Sequence, residues 1–437
     1  MLQPRLRLRT NPRNPEFELD RDIDDRLSVT TMIRHFLPLA LAALPALADD
    51  WPQFRGPDMN GISRETNWVT TWPATGFAPL WRANVGTGFC AVAVSQGRLF
   101  TLGNTNDVET VFCLDAVKGK VLWTHSYASA LWPNMYEGGP NATPTVHGSA
   151  VYTFGRHGEF ICFEAASGKI RWQKQLHTEL GLAKPRWGFS SPPLMDGSRL
   201  YLNAGTHGLA LDAVTGKVLW QSGSNAAAYA RPVLTTLDGE RALLIFGPQS
   251  LFAVTAGEGR LLWEHPWKTQ HHVNTVEPLV LGDRVFISSP YGFGGGVLEL
   301  SKTGASEVWK HKEMANHFAT CLLLDGHLFG IHGNDNKDAR LKCLDFATGE
   351  VKWTYQGLGL GNIIAAGGRL IALSDRGELM WSEISTKGFE PKARTQVLGG
   401  KCWTPPALAD GLLYCRNARG DLVCLDLRPA RPSAPRT

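Results

Sequence analysis

The sequence predicts an all-β fold, an eight-bladed β-propeller of four-stranded antiparallel blades, from three observations. The first is a recurring tag, Cys113-Leu-Asp-Ala-Val-Lys-Gly-Lys-Val-Leu-Trp123. It returns as Cys162 to Trp172, Ala210 to Trp220 and Cys343 to Trp353, with looser copies ending at Trp263 and Trp309 and degraded ones at Met380 to Gly388 and Cys424 to Leu427, eight in all. The second is the spacing. Successive tag tryptophans stand 49, 48, 43, 46 and 44 residues apart, a period that belongs to propellers and solenoids. The third is a proline element ahead of the blades, as in Ala142-Thr-Pro-Thr-Val-His-Gly148, Ser190-Ser-Pro-Pro-Leu194, Arg231-Pro-Val-Leu234, Glu277-Pro-Leu-Val280 and Trp403-Thr-Pro-Pro-Ala407. Proline opens a strand where no ladder N–H is needed.

Each blade is then justified strand by strand. The proline strand comes first and a turn such as Asp-Gly leads to the second strand. A tight turn of the kind Gly155-Arg-His-Gly158, Gly205-Thr-His-Gly208, Asp375-Arg-Gly377 or Ala418-Arg-Gly420 leads to the tag strand, whose apolar residues alternate with period two. The tag acid accepts backbone N–H groups, the tag Gly supplies a positive φ, and the fourth strand ends on Trp. Trp81, Trp123, Trp172, Trp220, Trp263, Trp309 and Trp353 are read as packing residues between blades. The last tag stops at Leu427 without its Trp strand, so the strand at Pro79-Leu-Trp-Arg82 is expected to complete blade 8 and close the ring. Closure leaves no sheet edge exposed.

The expected organisation is an extension at 1–31, an export signal at 32–48, a lead-in at 49–78, the propeller at 79–427 and a tail at 428–437. Residues 1–31 hold six Arg and six acids and read as a misassigned start, with a disordered extension as the alternative. From Met32 a basic start, the apolar run Phe36 to Leu47 and Ala46-Leu-Ala48 form a secretory signal, cleaved after Ala48. The run is too short to be a membrane span. No Cys follows the cleavage point to take a lipid, so the product is expected in the periplasm or outside the cell.

Net charge is +4 and no basic block argues for nucleic acid. The 437 residues are 43% hydrophobic and include 46 Gly and 26 Pro, enough for one large core cut into many short strands. Of eight cysteines, four open a tag at a position that Ala210 fills in another copy, so most read as buried thiols. There is no Cys-x-x-Cys and no adjacent Cys pair, which removes the usual zinc and redox patterns.

The tag, apolar-Asp-Ala-x-x-Gly-Lys-x-x-Trp, resembles the tryptophan-docking repeat of the PQQ-like propeller superfamily, and Trp51-Pro-Gln-Phe-Arg-Gly-Pro57 is similar to the opening of many exported members. The resemblance spans residues 51 to about 427. It implies eight blades girdled by tryptophans. It implies no single function, since the superfamily holds PQQ- and Ca²⁺-dependent alcohol dehydrogenases as well as BamB-type assembly factors that bind neither.

Propeller ligands sit where loops enter the innermost strands. Those loops hold Asn141, Arg186, Trp187, Arg231, His272, Asn274, Glu277, His317, Asn362 and Trp403, a candidate rim for a polar ligand or an extended peptide. Glu277, Asn274 and the pair His271-His272 form the densest cluster; Glu and Asn are hard-oxygen donors suited to Ca²⁺. The chain nevertheless lacks the cofactor-capping Cys pair that the dehydrogenases' resemblance would require, and no Asp stands in the rim loops. The expected function is a non-catalytic binding or protein-interaction scaffold, monomeric, without cofactor. A PQQ/Ca²⁺ oxidoreductase is the first alternative; a carbohydrate- or polymer-handling protein using Trp132, Trp187 and Trp403 as stacking platforms is the second. His125, His265 and His311, each two residues after a tag Trp, are expected at the blade edges, and His157 and His207 in turns.

Overall fold

The computed structural model describes residues 50–73 and 75–430; the extension 1–31, the signal 32–48 and the last seven residues of the tail lie outside the described residues. The chain winds into eight sheets, built of strands consecutive in the sequence except where two strands that precede blade 1 join the sheets of blades 7 and 8, and seven of the sheets have four strands. The innermost strands of blades 1 to 8 are Ala93–Ser95, Thr145–His147, Leu194–Asp196, Val233–Leu237, Leu279–Leu281, Leu322–Leu324, Asn362–Ala366 and Ala407–Ala409. Pro144, Pro193, Pro232, Pro278 and Pro406 each stand immediately before one of these strands, where their missing N–H breaks no ladder. Asp238-Gly239, Asp325-Gly326 and Asp410-Gly411 then carry positive φ at both residues, the conformation of a two-residue hairpin whose twist matches its strands.

The tags work as their chemistry suggests. Asp115 Oδ1 accepts the backbone N–H of Val117 and Lys118 at 3.0 and 2.8 Å. Asp212 Oδ1 takes the N–H and hydroxyl of Thr215, hydrogen bonds that hold its carboxyl below the usual range. Each tag tryptophan reaches into the next blade. Trp81, Trp123, Trp172 and Trp220 donate Nε1–H to the carbonyls of Ala116, Ala165, Ala213 and Ala256, and Trp263, Trp309 and Trp353 to Ser301, Phe346 and Ser385, all within 2.8–3.2 Å. The ring meanwhile lies on the next tag's glycine: a Cβ on Gly216 would sit 2.7 Å from Trp172 Cδ2. His311 departs from the expected blade-edge role. It stacks on Trp309 at 4.6 Å and its Nε2 is 2.9 Å from Gly349 O, so it joins the docking contact.

The ring closes where expected. Trp81–Asn84 pairs antiparallel with Asp421–Asp426, Trp81 opposite Cys424, and becomes the outer strand of blade 8. All eight cysteines are free and buried. Blade 7 has no docking tryptophan on its outer strand Ala393–Gln396. Its seam to blade 8 is sealed by the lead-in instead: Trp381 Nε1 donates to Thr70 O, Trp68 meets Trp381 edge-on at 6.1 Å, and Val69 N donates to Leu427 O.

The lead-in does more than approach the ring. It threads its centre, touching one innermost strand after another. Trp51 exchanges two backbone hydrogen bonds with Val94 in blade 1, and Pro52 O accepts from Val146 in blade 2. Arg55 reaches the carbonyls of Thr320 and Cys321 at the start of blade 6, and Ile62–Ser63 adds as a parallel fifth strand to Asn362–Ala366 of blade 7. Glu65 then accepts from Gly411 N in blade 8. Residues 51–65 thus plug the channel that eight inner strands would otherwise surround.

Candidate functional site

The loops that enter the inner strands, together with two hairpin tips at Tyr291 and Asn334, converge on one face around a cavity of ≈ 570 Å³. The plug supplies its floor through Phe54, so the cavity is a funnel with one mouth. A second hollow of ≈ 410 Å³, lined by Arg186, Gln249, Gln270, His271 and His272, adjoins it across the shared ring of Tyr229.

The funnel wall is a collar of rings in edge and tilted contact. Tyr136 meets Phe89 at 5.4 Å, Phe89 meets Trp403 at 5.7 Å, and Trp403 meets Phe318 at 4.6 Å. Phe318 then meets His317 at 4.9 Å, His317 meets Tyr291 at 5.3 Å, and Tyr291 meets His271 at 4.9 Å. Trp187 and Tyr229 line the cavity at 6.0 Å from each other, and Tyr136 Oη donates to Trp187 O. Such offset geometry fits the quadrupoles of the rings. Burial holds the His317 imidazole at about 4, so near neutral pH it serves as one more uncharged ring. Burial likewise pushes Tyr229 up to about 12.

Beneath the collar lies a buried ion triad. Glu277 faces Arg231 Nε through Oε1 at 2.7 Å and Arg55 Nε through Oε2 at 3.1 Å, and all three side chains are buried. Arg55 also donates to the carbonyls of Asn60, Thr320 and Cys321, and Arg231 Nη2 to Met59 O. Desolvation lowers the pKa of Arg55, and the Glu277 carboxylate opposes that shift. The triad pins the plug to blades 4, 5 and 6.

The ten rim residues named from the sequence divide into three groups. Asn141, Trp187, Arg231, His317 and Trp403 line the funnel, and Arg186 and His272 line the adjoining hollow. Arg186 lies over the Trp187 ring at 4.8 Å and Lys401 over Trp403 at 4.3 Å. Asn274, Glu277 and Asn362 are buried and bonded to the fold. Asn274 donates to Gly247 O and Pro248 O and accepts from Ser289 Oγ; Asn362 donates to Trp403 O and so holds the collar loop. Trp132 is 46% exposed and does not line the funnel. Phe89 and Tyr291 were not singled out by the sequence, Phe89 because it precedes a strand of no tag and Tyr291 because it sits on a hairpin tip rather than an entering loop. The plug and Arg55 were missed because nothing repeats there; the cluster of Trp51, Phe54 and Arg55 in a short Pro- and Gly-bounded stretch was the available signal.

A Ca²⁺ with PQQ would need the free oxygens of Glu277 and Asn274. Those oxygens already face two guanidiniums and a serine hydroxyl, so the donor set does not fit the pair. Among the described residues no group of three or more His, Cys, Asp or Glu side chains is placed to hold a metal ion.

Fold and site together define a tryptophan-docked propeller with a plugged channel and an aromatic funnel on one face. The chain belongs to the PQQ-like repeat family whose model is described as outer membrane protein assembly factor BamB, which matches residues 128–355. BamB from Moraxella catarrhalis superposes with a TM-score of 0.58 at 15% identity, covering 80% of this chain and 99% of its own. The quinohemoprotein alcohol dehydrogenase from Comamonas testosteroni gives 0.64 at 12% identity, covering 88% and 82%, and a europium-containing methanol dehydrogenase 0.62 at 10%, covering 86% and 89%. These likenesses establish the fold. No curated protein matches the sequence.

Proposed function

We propose that the chain is an exported, non-catalytic binding scaffold that receives a ligand or a segment of a partner protein in the aromatic funnel. The observation that carries this is the funnel: a ≈ 570 Å³ cavity walled by rings and closed below by the chain's own plug. Concave, largely apolar cavities with a few placed polar groups are the usual form of a binding site. Export is supported by the signal-like segment at 32–48, a basic start followed by the apolar run Phe36 to Leu47, and no described helix is long and apolar enough to cross a membrane. The BamB-type family supports a protein partner, in an assembly role at the outer membrane. The dehydrogenase alternative draws on the superposition with quinohemoprotein alcohol dehydrogenase, and the commitment of Glu277 and Asn274 to other partners weighs against it.

The test is native mass spectrometry of residues 49–437 with PQQ and Ca²⁺, alongside dye-linked alcohol oxidation. The expected result is no stoichiometric adduct that depends on both additives and no dye reduction. A one-to-one adduct with turnover would overturn the scaffold.

A further inference from the structure

We infer that the hollow beside the funnel is a subsite for a tetrahedral oxyanion, a phosphate or sulfate group carried by a ligand whose apolar body lies in the funnel; this rests on the funnel being the binding site proposed above. Three turns, one entering blade 3, one within blade 4 and one entering blade 5, bring their tips to this ≈ 410 Å³ space. Gly188 N donates to Pro185 O at 2.9 Å and sets Arg186 at the tip of the first. Gly247 N donates to Ser250 O at 2.8 Å and presents Gln249, while His272 N, donating to Thr269 O at 3.5 Å, presents Gln270 and His271. The tips are pinned. Buried Asn274 donates to the carbonyls of Gly247 and Pro248, and Tyr229 Oη, in the wall between hollow and funnel, accepts the N–H of Trp187. His272 holds a φ of +57° and Tyr291, in edge contact with His271, one of +58°. Residues with a β-carbon keep such left-handed conformations only where their surroundings impose them, and binding sites are where that strain collects. Donors fixed in advance cost a ligand less ordering.

The hollow is rich in donors and its fixed charge has one sign. Arg186 is the one Lys or Arg among its described lining residues, and no Asp or Glu lines it. The Arg186 guanidinium lies over the Trp187 ring at 4.8 Å and makes no hydrogen bond or ion pair with another described residue, so its N–H groups are free to donate. Gln249 Nε2 donates to His272 Nε2, and an imidazole that accepts there carries its proton on Nδ1. Gln270 and His271 add an amide and a second imidazole. These groups are within reach of a ligand: Arg186, Gln249, Gln270 and His272 are exposed. Donors that converge from three turns match an anion with three or more oxygens, whereas a planar carboxylate offers two, and a guanidinium fork fits phosphate and sulfate oxygens. Trp187, on which Arg186 lies, is itself in the funnel wall, so an anion at Arg186 stands at the border of a chamber of rings.

The experiment titrates residues 49–437 by calorimetry, in low-salt buffer free of phosphate and sulfate because exposed charges are screened. The probes are phenethyl phosphate, phenethyl sulfate, the neutral phenethyl alcohol, and hydrocinnamate, in which a carboxylate ends the same body. One ester is expected to bind at least about tenfold more tightly than the alcohol and about threefold more tightly than hydrocinnamate, and the tighter ester identifies the group. Arg186→Gln is expected to cut the preference over the alcohol to less than about threefold while leaving the affinity for the alcohol itself unchanged, which shows that the funnel is intact. Equal binding of esters and alcohol, all weakened by Trp403→Leu, would overturn the oxyanion subsite and leave the funnel standing as a site. Hydrocinnamate binding as tightly as both esters would overturn the tetrahedral preference, and an ester preference that survives Arg186→Gln would overturn the assignment to the hollow. No saturable signal with any probe would overturn the subsite and count against the funnel as well.

Discussion

Replacing Glu277 with Gln tests whether the plug and the ring are one unit. The carboxylate stands 2.7 Å from one guanidinium and 3.1 Å from another, all three groups buried. Removing it strands two cations, and breaking a buried ion pair costs about 3–5 kcal/mol because the abandoned charge remains out of water. Unfolding entropy scales at roughly 2.1 cal/mol/K per residue, or about 0.8 kcal/mol/K for residues 49–437, so that loss lowers Tm by about 4–6 °C. The damage is also directional. Arg55 is anchored to Glu277 and to the carbonyls of Thr320 and Cys321, and the variant is expected to loosen the plug before the blades. Limited trypsinolysis followed by mass spectrometry would then show cleavage after Arg55 or Arg64 at enzyme ratios that leave the unaltered protein intact. Melting within about 1 °C of the parent, with no new cleavage in the plug, would refute the triad as the anchor.

The other predictions concern the ring and its ionisable core. Deleting residues 78–85 removes Trp81–Asn84 from Asp421–Asp426 and takes Trp81 off Ala116, costing at least the about 3–5 kcal/mol of a lost buried Trp and exposing a strand edge that self-associates; unchanged melting and a monomeric elution volume would sink the closure. Gly216→Ala combines a φ of +71° with a Cβ 2.7 Å from Trp172 Cδ2 and should cost about 2–5 kcal/mol by denaturant unfolding, whereas the same change at Gly304, where a Cβ meets nothing within 4 Å, should be nearly silent. Burial raises the Glu109 carboxyl from 4.5 to about 7. The folded state then keeps a proton that the unfolded chain releases, so stability is greatest below the unfolded value and falls by about 3 kcal/mol as pH rises from 4.5 to about 7. Glu109→Gln should flatten that slope and stabilise the protein above pH 7; an unchanged profile of stability against pH would contradict it.

The propeller was legible because its physics repeats. A tag Trp needs a glycine in the next blade and the tag turn needs its acid, so the same three residue types, acid, Gly and Trp, recur at one period. Even the missing eighth Trp pointed to Trp81. The site was only half legible for the opposite reason. Entering loops are each built once, and nothing in a single loop says whether its polar group faces the cavity or ties down its own backbone. Asn141 and Trp403 line the funnel, while Asn362, drawn from the same kind of loop, spends its amide on Trp403 O. Glu277 looked like a ligand donor because it shares one entering loop with Asn274 and the pair His271-His272, a cluster of hard-oxygen and imidazole groups. Its reason for being there is Arg55, some 220 residues earlier, and no local pattern links the two.

That long-range pair also explains why closure of the ring and the funnel are joined. A propeller closed only by an outer strand keeps an open channel along its axis. Here the segment that supplies the closing strand first runs through the axis, sets Phe54 against the cavity and Arg55 against Glu277, pairs Ile62–Ser63 with blade 7, and seals the seam to blade 8 before it reaches Trp81. The funnel floor is therefore formed by the residues that lock the ring. Loosening one must loosen the other, because Arg55 and Arg231 share a single carboxylate between plug and blades. By linkage, a ligand that binds only the folded state raises stability in proportion to the logarithm of its concentration. Occupancy of the funnel should thus be felt first in the plug and, through it, in the closure of blade 8.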